Sequence, residues 1–176
     1  LTLKRKWQLQ TCRTLRGEEE FRSLFALYKE GTLSEEGKRK CLELAPALHP
    51  ATIDDTLFVL EVRNDESVRE YTAGEKTNEE KHIPYFYEHY NEFRIICFNG
   101  EKIGYIRKKQ DGIISIALFG KFQKYGIGQW ILARETGKAN ILVDNLWSLR
   151  CFQNSGFKIT SYNLEKKKEG ITGNWK

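Results

Sequence analysis

From residue 93 to residue 119 apolar and polar positions alternate with a period of two, and Asn99-Gly100 and Asp111-Gly112 interrupt the runs. Asn-Gly and Asp-Gly between alternating runs are strong hairpin signals, so strands are predicted over 93–98, 103–106 and 113–119. Upstream the period changes. Phe21, Leu24, Phe25 and Tyr28 fall on one stripe of a helix over 17–30, which Gly31 ends, and Ser34 is a good N-cap for a second helix. Residues 42–52 read as a strand confined to a sheet edge by Pro46 and Pro50. Asp54 or Asp55 opens a helix to about Tyr71, with Leu57, Leu60, Val68 and Tyr71 inward, and residues 78–90 form another. Beyond the hairpins the pattern predicts a helix over 126–137, a strand over 140–144, a helix over 146–155 and a strand over 157–162. The sum is a mixed α/β chain, α+β-like, with a central twisted mixed sheet flanked by helices.

Composition narrows the class. The chain has 176 residues, 40% hydrophobic and 12% aromatic, enough for one well-buried domain and against disorder. Net charge is +5, but the basic residues are dispersed and interrupted by Glu18-Glu19-Glu20 and Glu79-Glu80. That argues against a dedicated nucleic-acid binder. No apolar run reaches transmembrane length, and residues 1–10 lack the apolar core of a secretory signal. Cysteines 12, 41, 97 and 151 show no metal-ligand spacing, so no metal is expected and the thiols suit a reducing compartment. The cytoplasm is the expected location.

Gln123-Lys124-Tyr125-Gly126-Ile127-Gly128 lies between the third predicted strand and a helix. Glycines there let backbone N–H groups approach a phosphate at a helix N-terminus. With 14 glycines in 176 residues, Gly-x-Gly arises about once by chance, so context must decide. Asn145 follows Gly128 by only 17 residues. From it, Ser148, Phe152 and Gly156 share one helix face, and Gly156 stands where that helix should end.

The order Q-x-x-G-x-G, then N-x-x-S-x-x-x-F-x-x-x-G-F, resembles the two core motifs of the GNAT superfamily of acyl-CoA-dependent N-acyltransferases. The resemblance covers about residues 42–165. It implies a GNAT domain over 42–176, preceded by a helical extension over 1–41 that is either an added arm or the tail of a preceding domain. It also implies acetyl-CoA as cofactor, its pyrophosphate on Gln123, Lys124, Tyr125, Gly126, Ile127 and Gly128. The pantetheine arm would pair with Ser115, Ile116, Ala117 and Leu118, with backbone N–H near Ala117–Phe119 facing the thioester carbonyl. Ile116 and Leu118 are also candidates for plain core packing. Arg107, Lys108, Lys121 and Lys124 flank this region as phosphate partners or as a solvated rim.

Asn145 and Ser148 resemble motif residues near the cofactor arm, although Asn145 serves equally as an N-cap. Phe152 takes the position where many members carry a tyrosine that protonates the departing thiolate, and phenylalanine cannot donate. The segment Val62-Arg63-Asn64-Asp65, with Glu79 and His82, resembles a branch acting on nucleotide-linked amino sugars and on ribosomal-protein N-termini. Arg63, Asn64, Asp65 and His82 would then bind the acceptor. His82, Glu79, His89 and Glu88 are candidate bases, or simply a solvated helix face, and the alternative for Asn64-Asp65 is a plain bend in the helix. The expected activity is acetyl transfer to the amine of a nucleotide-activated amino sugar for surface glycan synthesis. A protein N-terminal amine and a catalytically weak acyl-CoA-binding module are the alternatives.

Overall fold

In the computed structural model, residues 3–71 and 76–161 are described, with side chains from Gly17 onward. Strands β1 (Ala47–Pro50), β2 (Phe93–Phe98), β3 (Glu101–Lys108) and β4 (Ile114–Leu118) form one antiparallel sheet in the order β1-β2-β3-β4. Both expected hairpins are present. Asn99 and Gly100 take positive φ of 51° and 80°, the left-handed pair that a two-residue hairpin turn requires. In the second turn the Lys109 N–H donates to the Ile113 carbonyl at 2.9 Å, and Asp111 Oδ1 accepts from the Ile113 N–H at 3.0 Å.

Alternation along the strands sorts side chains onto two faces. Ile96, Phe98, Ile106, Ile114 and Leu118 point to one face, where α1 (Leu3–Glu30), α2 (Glu35–Glu43), α6 (Ile127–Leu132) and α7 (Leu146–Asn154) contribute to a shared core. Phe93, Ile95, Tyr105 and Ala117 point to the other, which α3 (Thr56–Asn64), α4 (Glu66–Arg69) and α5 (Glu79–His89) cover. The first two helices therefore share the sheet's own core. Phe21 sits at ring-centroid distances of 5.5 Å from Phe98, 5.6 Å from Trp130 and 5.7 Å from Phe25. Burying two such rings contributes roughly 1.5–3 kcal/mol each.

The structure departs from the sequence pattern in five places. The helix expected from Asp54 or Asp55 to Tyr71 breaks at Asp65, whose side chain accepts the Ser67 N–H at 3.0 Å and starts α4. Leu57, expected inward, is 57% exposed. Helix α6 stops at Leu132 instead of running to 137, where the Arg134 guanidinium caps the Trp130 carbonyl at 2.7 Å and stacks on its indole. No strand forms over 140–144, because Leu142–Asn145 closes a turn, the Asn145 N–H donating to the Leu142 carbonyl at 3.0 Å. Residues 157–161 likewise carry no strand, and Tyr162 lies outside the described residues.

Candidate active site

Strand β4 is an edge for most of its length. A parallel bridge joins Ile113 to Lys138, the Ile114 N–H donating to the Lys138 carbonyl at 2.7 Å. Past that bridge the chain turns away, leaving Val143 89% exposed. Successive N–H groups of a strand point to opposite sides. The Phe119 N–H donates to the Ile103 carbonyl at 3.0 Å, so those of Ser115 and Ala117 also face β3. The N–H groups of Ile116 and Leu118 face the open side. Of the backbone expected to meet a thioester at 117–119, only the Leu118 N–H points outward; Ala117 and Phe119 are committed to the sheet. The side chains of Ile116 and Leu118 pack in the core.

The loop after β4 holds a run of unpaired donors. Lys124 and Gly126 take positive φ of 70° and 85° on either side of Tyr125. Left-handed residues alternating with right-handed ones bring successive N–H groups to one side, a concavity suited to anions. Among the described residues, the N–H groups of 124–129 donate to nothing; the first bond into α6 is Trp130 N–H to the Gly126 carbonyl at 2.9 Å. Both glycines also sit where a side chain would be crowded. A Cβ on Gly126 would lie 2.8 Å from the Phe25 ring, and one on Gly128 3.3 Å from Cys151 Sγ. Burial pushes the Cys151 thiol up to about 11, which leaves it inert at neutral pH. The Lys124 ammonium lies 5.2 Å from the ring of Trp147, which is 58% exposed.

On α7, Asn145 Oδ1 accepts the Ser148 N–H at 3.0 Å, so the asparagine acts as the N-cap. Phe152 is 4% exposed, its ring packed edge-on against Phe157 at 5.0 Å. The position that the resemblance links to a general acid is filled by core.

The acceptor-side residues lie under the opposite face. The Asn64 side chain donates to the Thr77 carbonyl at 2.8 Å and accepts its N–H at 2.9 Å, tying α3 to the segment before α5. Asp65 accepts from the Ser67 hydroxyl, which in turn accepts from Gln123 Nε2 at 3.0 Å, and the same Gln123 amide donates to the Leu118 carbonyl at 3.0 Å. This chain of bonds couples α4 to the glycine loop. His82 is 2% exposed; its Nε2–H donates to the Thr56 carbonyl at 3.0 Å, which leaves Nδ1 as an unpartnered acceptor. Burial, with the nearby Arg63 charge, holds the imidazole below its usual range despite the Thr56 bond. His82 is thus neutral and enclosed, a packing residue between α3 and α5. Glu79 is exposed in the first turn of α5, and Glu88 contacts His89 at 3.8 Å. Arg63 is exposed and has no carboxylate partner among the described residues.

Sequence reasoning missed Tyr105. It pairs with Ala117 across β3 and β4 and packs against the cluster of Val62, Val68 and Ala117 beneath α3 and α4. The alternation of residues 103–106 places its ring on the face that α3, α4 and α5 cover, and that was the available signal.

Among the described residues no cluster suits a metal ion, and no helix is long and apolar enough to cross a membrane. No family model and no curated protein matches the sequence. Solved structures do match the fold. Spermidine N-acetyltransferase from Vibrio cholerae, in complex with CoA and spermine, is 14% identical over 69% of this chain and 85% of its own, at a TM-score of 0.58. A GNAT-family acetyltransferase from Bacillus anthracis is 14% identical over 67% and 82%, at 0.55. The aminoglycoside acetyltransferase AAC(6')-Ib, in complex with paromomycin and acetyl-CoA, is 20% identical over 65% and 83%, at 0.51. The architecture is the mixed α/β fold of GNAT acetyltransferases.

Proposed function

We propose that this chain transfers an acetyl group from acetyl-CoA to a primary amine, with a nucleotide-activated amino sugar as the preferred acceptor. One observation carries the reading: the open side of β4 runs directly into a loop whose N–H groups are unpaired over 124–129. An extended amide chain can add to such an edge as a strand would, and a pyrophosphate fits the converging donors. The site suits acetyl-CoA on that ground, although α6 is too short to add much dipole. The cofactor supplies an activated acetyl thioester. The chain's part is positional: residues 124–129 hold phosphate oxygens, Ile116 pairs with the amide arm, and the Leu118 N–H donates to a carbonyl oxygen as it gains negative charge. The Gln123 amide fixes the Leu118 carbonyl and so stiffens that donor. With His82 enclosed, Glu79 is the base we favour, open to solvent and acting through water, while Glu88 lies against His89. The nucleotide-sugar preference is supported by Arg63, a cation without a carboxylate partner among the described residues.

The reading is tested by thiol release. Acetyl-CoA should bind, and free CoA should appear only when an amine is added, faster with UDP-glucosamine than with spermidine or a peptide bearing a free N-terminus. Binding without release for any amine would instead leave a weak acyl-CoA-binding module. Phe152 in the core and Asn145 spent on a cap favour that second reading.

A further inference from the structure

The Tyr105 ring is half-buried against Phe58, Phe93, Val62, Val68 and Ala117, and its hydroxyl has no hydrogen-bond partner among the described residues. Packing holds the ring in place while the hydroxyl stays open to an incoming group. The nearby Tyr85 hydroxyl is satisfied, accepting from Arg107, and Arg107 is neutralised by Glu92 at 2.6 Å. Arg63, on the last turn of α3, is close enough for its charge to act on the phenol, and it has no carboxylate partner among the described residues. An unused hydroxyl and an unused cation thus belong to the same side of the sheet, the hydroxyl carried by the strand residue that pairs with Ala117 of β4.

Resting on the acetyl-transfer reading, we infer that the Tyr105 hydroxyl and the Arg63 guanidinium together recognise an anionic oxygen on the acceptor, a phosphate or a carboxylate carried by the amine substrate. Tyr105 acts here as a hydrogen-bond donor that orients the acceptor. It does not protonate the leaving thiolate: burial raises the phenol above its ordinary range. A thiol with a pKa of about 8.5 is already the stronger acid, so that transfer would run uphill. The same shift keeps the donor protonated throughout the neutral range.

The test compares Tyr105→Phe and Arg63→Ala with the wild type by calorimetry in the presence of CoA. The probes are UDP-glucosamine, glucosamine 6-phosphate, glucosamine and spermidine. Each variant should weaken UDP-glucosamine binding about tenfold, the worth of one charge-assisted hydrogen bond, and leave acetyl-CoA affinity within about twofold. Tyr105→Phe should melt at or above the wild-type temperature, since no native hydrogen bond is lost; a merely structural hydroxyl would lower it. Glucosamine 6-phosphate responding to both substitutions would point to a phosphate monoester as the recognised group, and a response by UDP-glucosamine alone to the diphosphate. Unchanged binding in Tyr105→Phe, or a wild type that takes spermidine or glucosamine better than either phosphate, overturns the inference while amine-dependent thiol release leaves acetyl transfer standing. A wild type that neither binds acetyl-CoA nor releases thiol overturns acetyl transfer itself, and the calorimetry still decides Tyr105.

Discussion

Under the acceptor-side face, Asn64, Asp65, Ser67 and His82 are each bonded to another part of the protein. Along the cofactor-side edge, the donors of Ile116, Leu118 and residues 124–129 reach no described partner. Apart from the His82 Nδ1 atom, these four side chains are consumed by structure, and Tyr105 and Arg63 on the same side stand outside that set. The second region is a set of backbone groups open to water or to a ligand. Residue types that suggest chemistry are therefore a poor guide to where it can occur here. His82 and Asn64 look reactive and are occupied. Leu118 and Ile127 look like plain core and belong to the segments that present free donors.

The sharpest way to break this contrast is at Gly126. Its φ of 85° disfavours any L side chain, and a Cβ would meet the Phe25 ring at 2.8 Å. Gly126→Val should cost about 3 kcal/mol, combining left-handed strain with overpacking. Urea denaturation gives the number. Wild-type stability together with lost acetyl-CoA affinity would show that the glycine serves the ligand and not the seat of α1.

A smaller effect is expected at Phe152, buried against Phe157. Phe152→Tyr forces a hydroxyl into apolar surroundings and should destabilise by about 1–3 kcal/mol without speeding thiol release. Faster turnover at alkaline pH in a variant of undiminished stability would instead mean that this position opens onto the thioester and that the cofactor-side region includes a side-chain acid.

The legible parts of the fold were those with local causes. Asn99-Gly100 and Asp111-Gly112 specify their hairpins through turn geometry, and Ser34 and Asn145 cap their helices as expected. Segments decided by tertiary context were not legible. Leu142 and Val143 have β propensity, but the short span after α6 turns at Leu142–Asn145 before a strand can pair. The place of α1 was equally hidden, because nothing local says that Phe21 will meet Trp130. The loop drew notice through Gly126 and Gly128, but the Phe25 ring and the Cys151 sulfur that crowd those two positions could not be read from the sequence. Tyr105 escaped notice because its meaning depends on the missing hydrogen bond, which is a property of packing.

The mildest test concerns the enclosed imidazole on the acceptor side. His82 has its folded-state pKa lowered by burial, with Arg63 adding to the shift, while the unfolded chain titrates near the ordinary imidazole value of 6.5. Below that value the unfolded chain takes up a proton that the folded protein resists. Stability from this group is therefore complete above about pH 6.5 and declines as pH falls below it. His82→Gln removes the titration and keeps an amide donor within reach of the Thr56 carbonyl. The wild type should lose more melting temperature than this variant between about pH 7.5 and about pH 5, a difference of a few degrees. Parallel losses would mean that His82 is protonated in the folded state, its Nδ1 paired with water or ligand. The residue would then move from the occupied set to the available one, and the contrast between the two regions would weaken at that position.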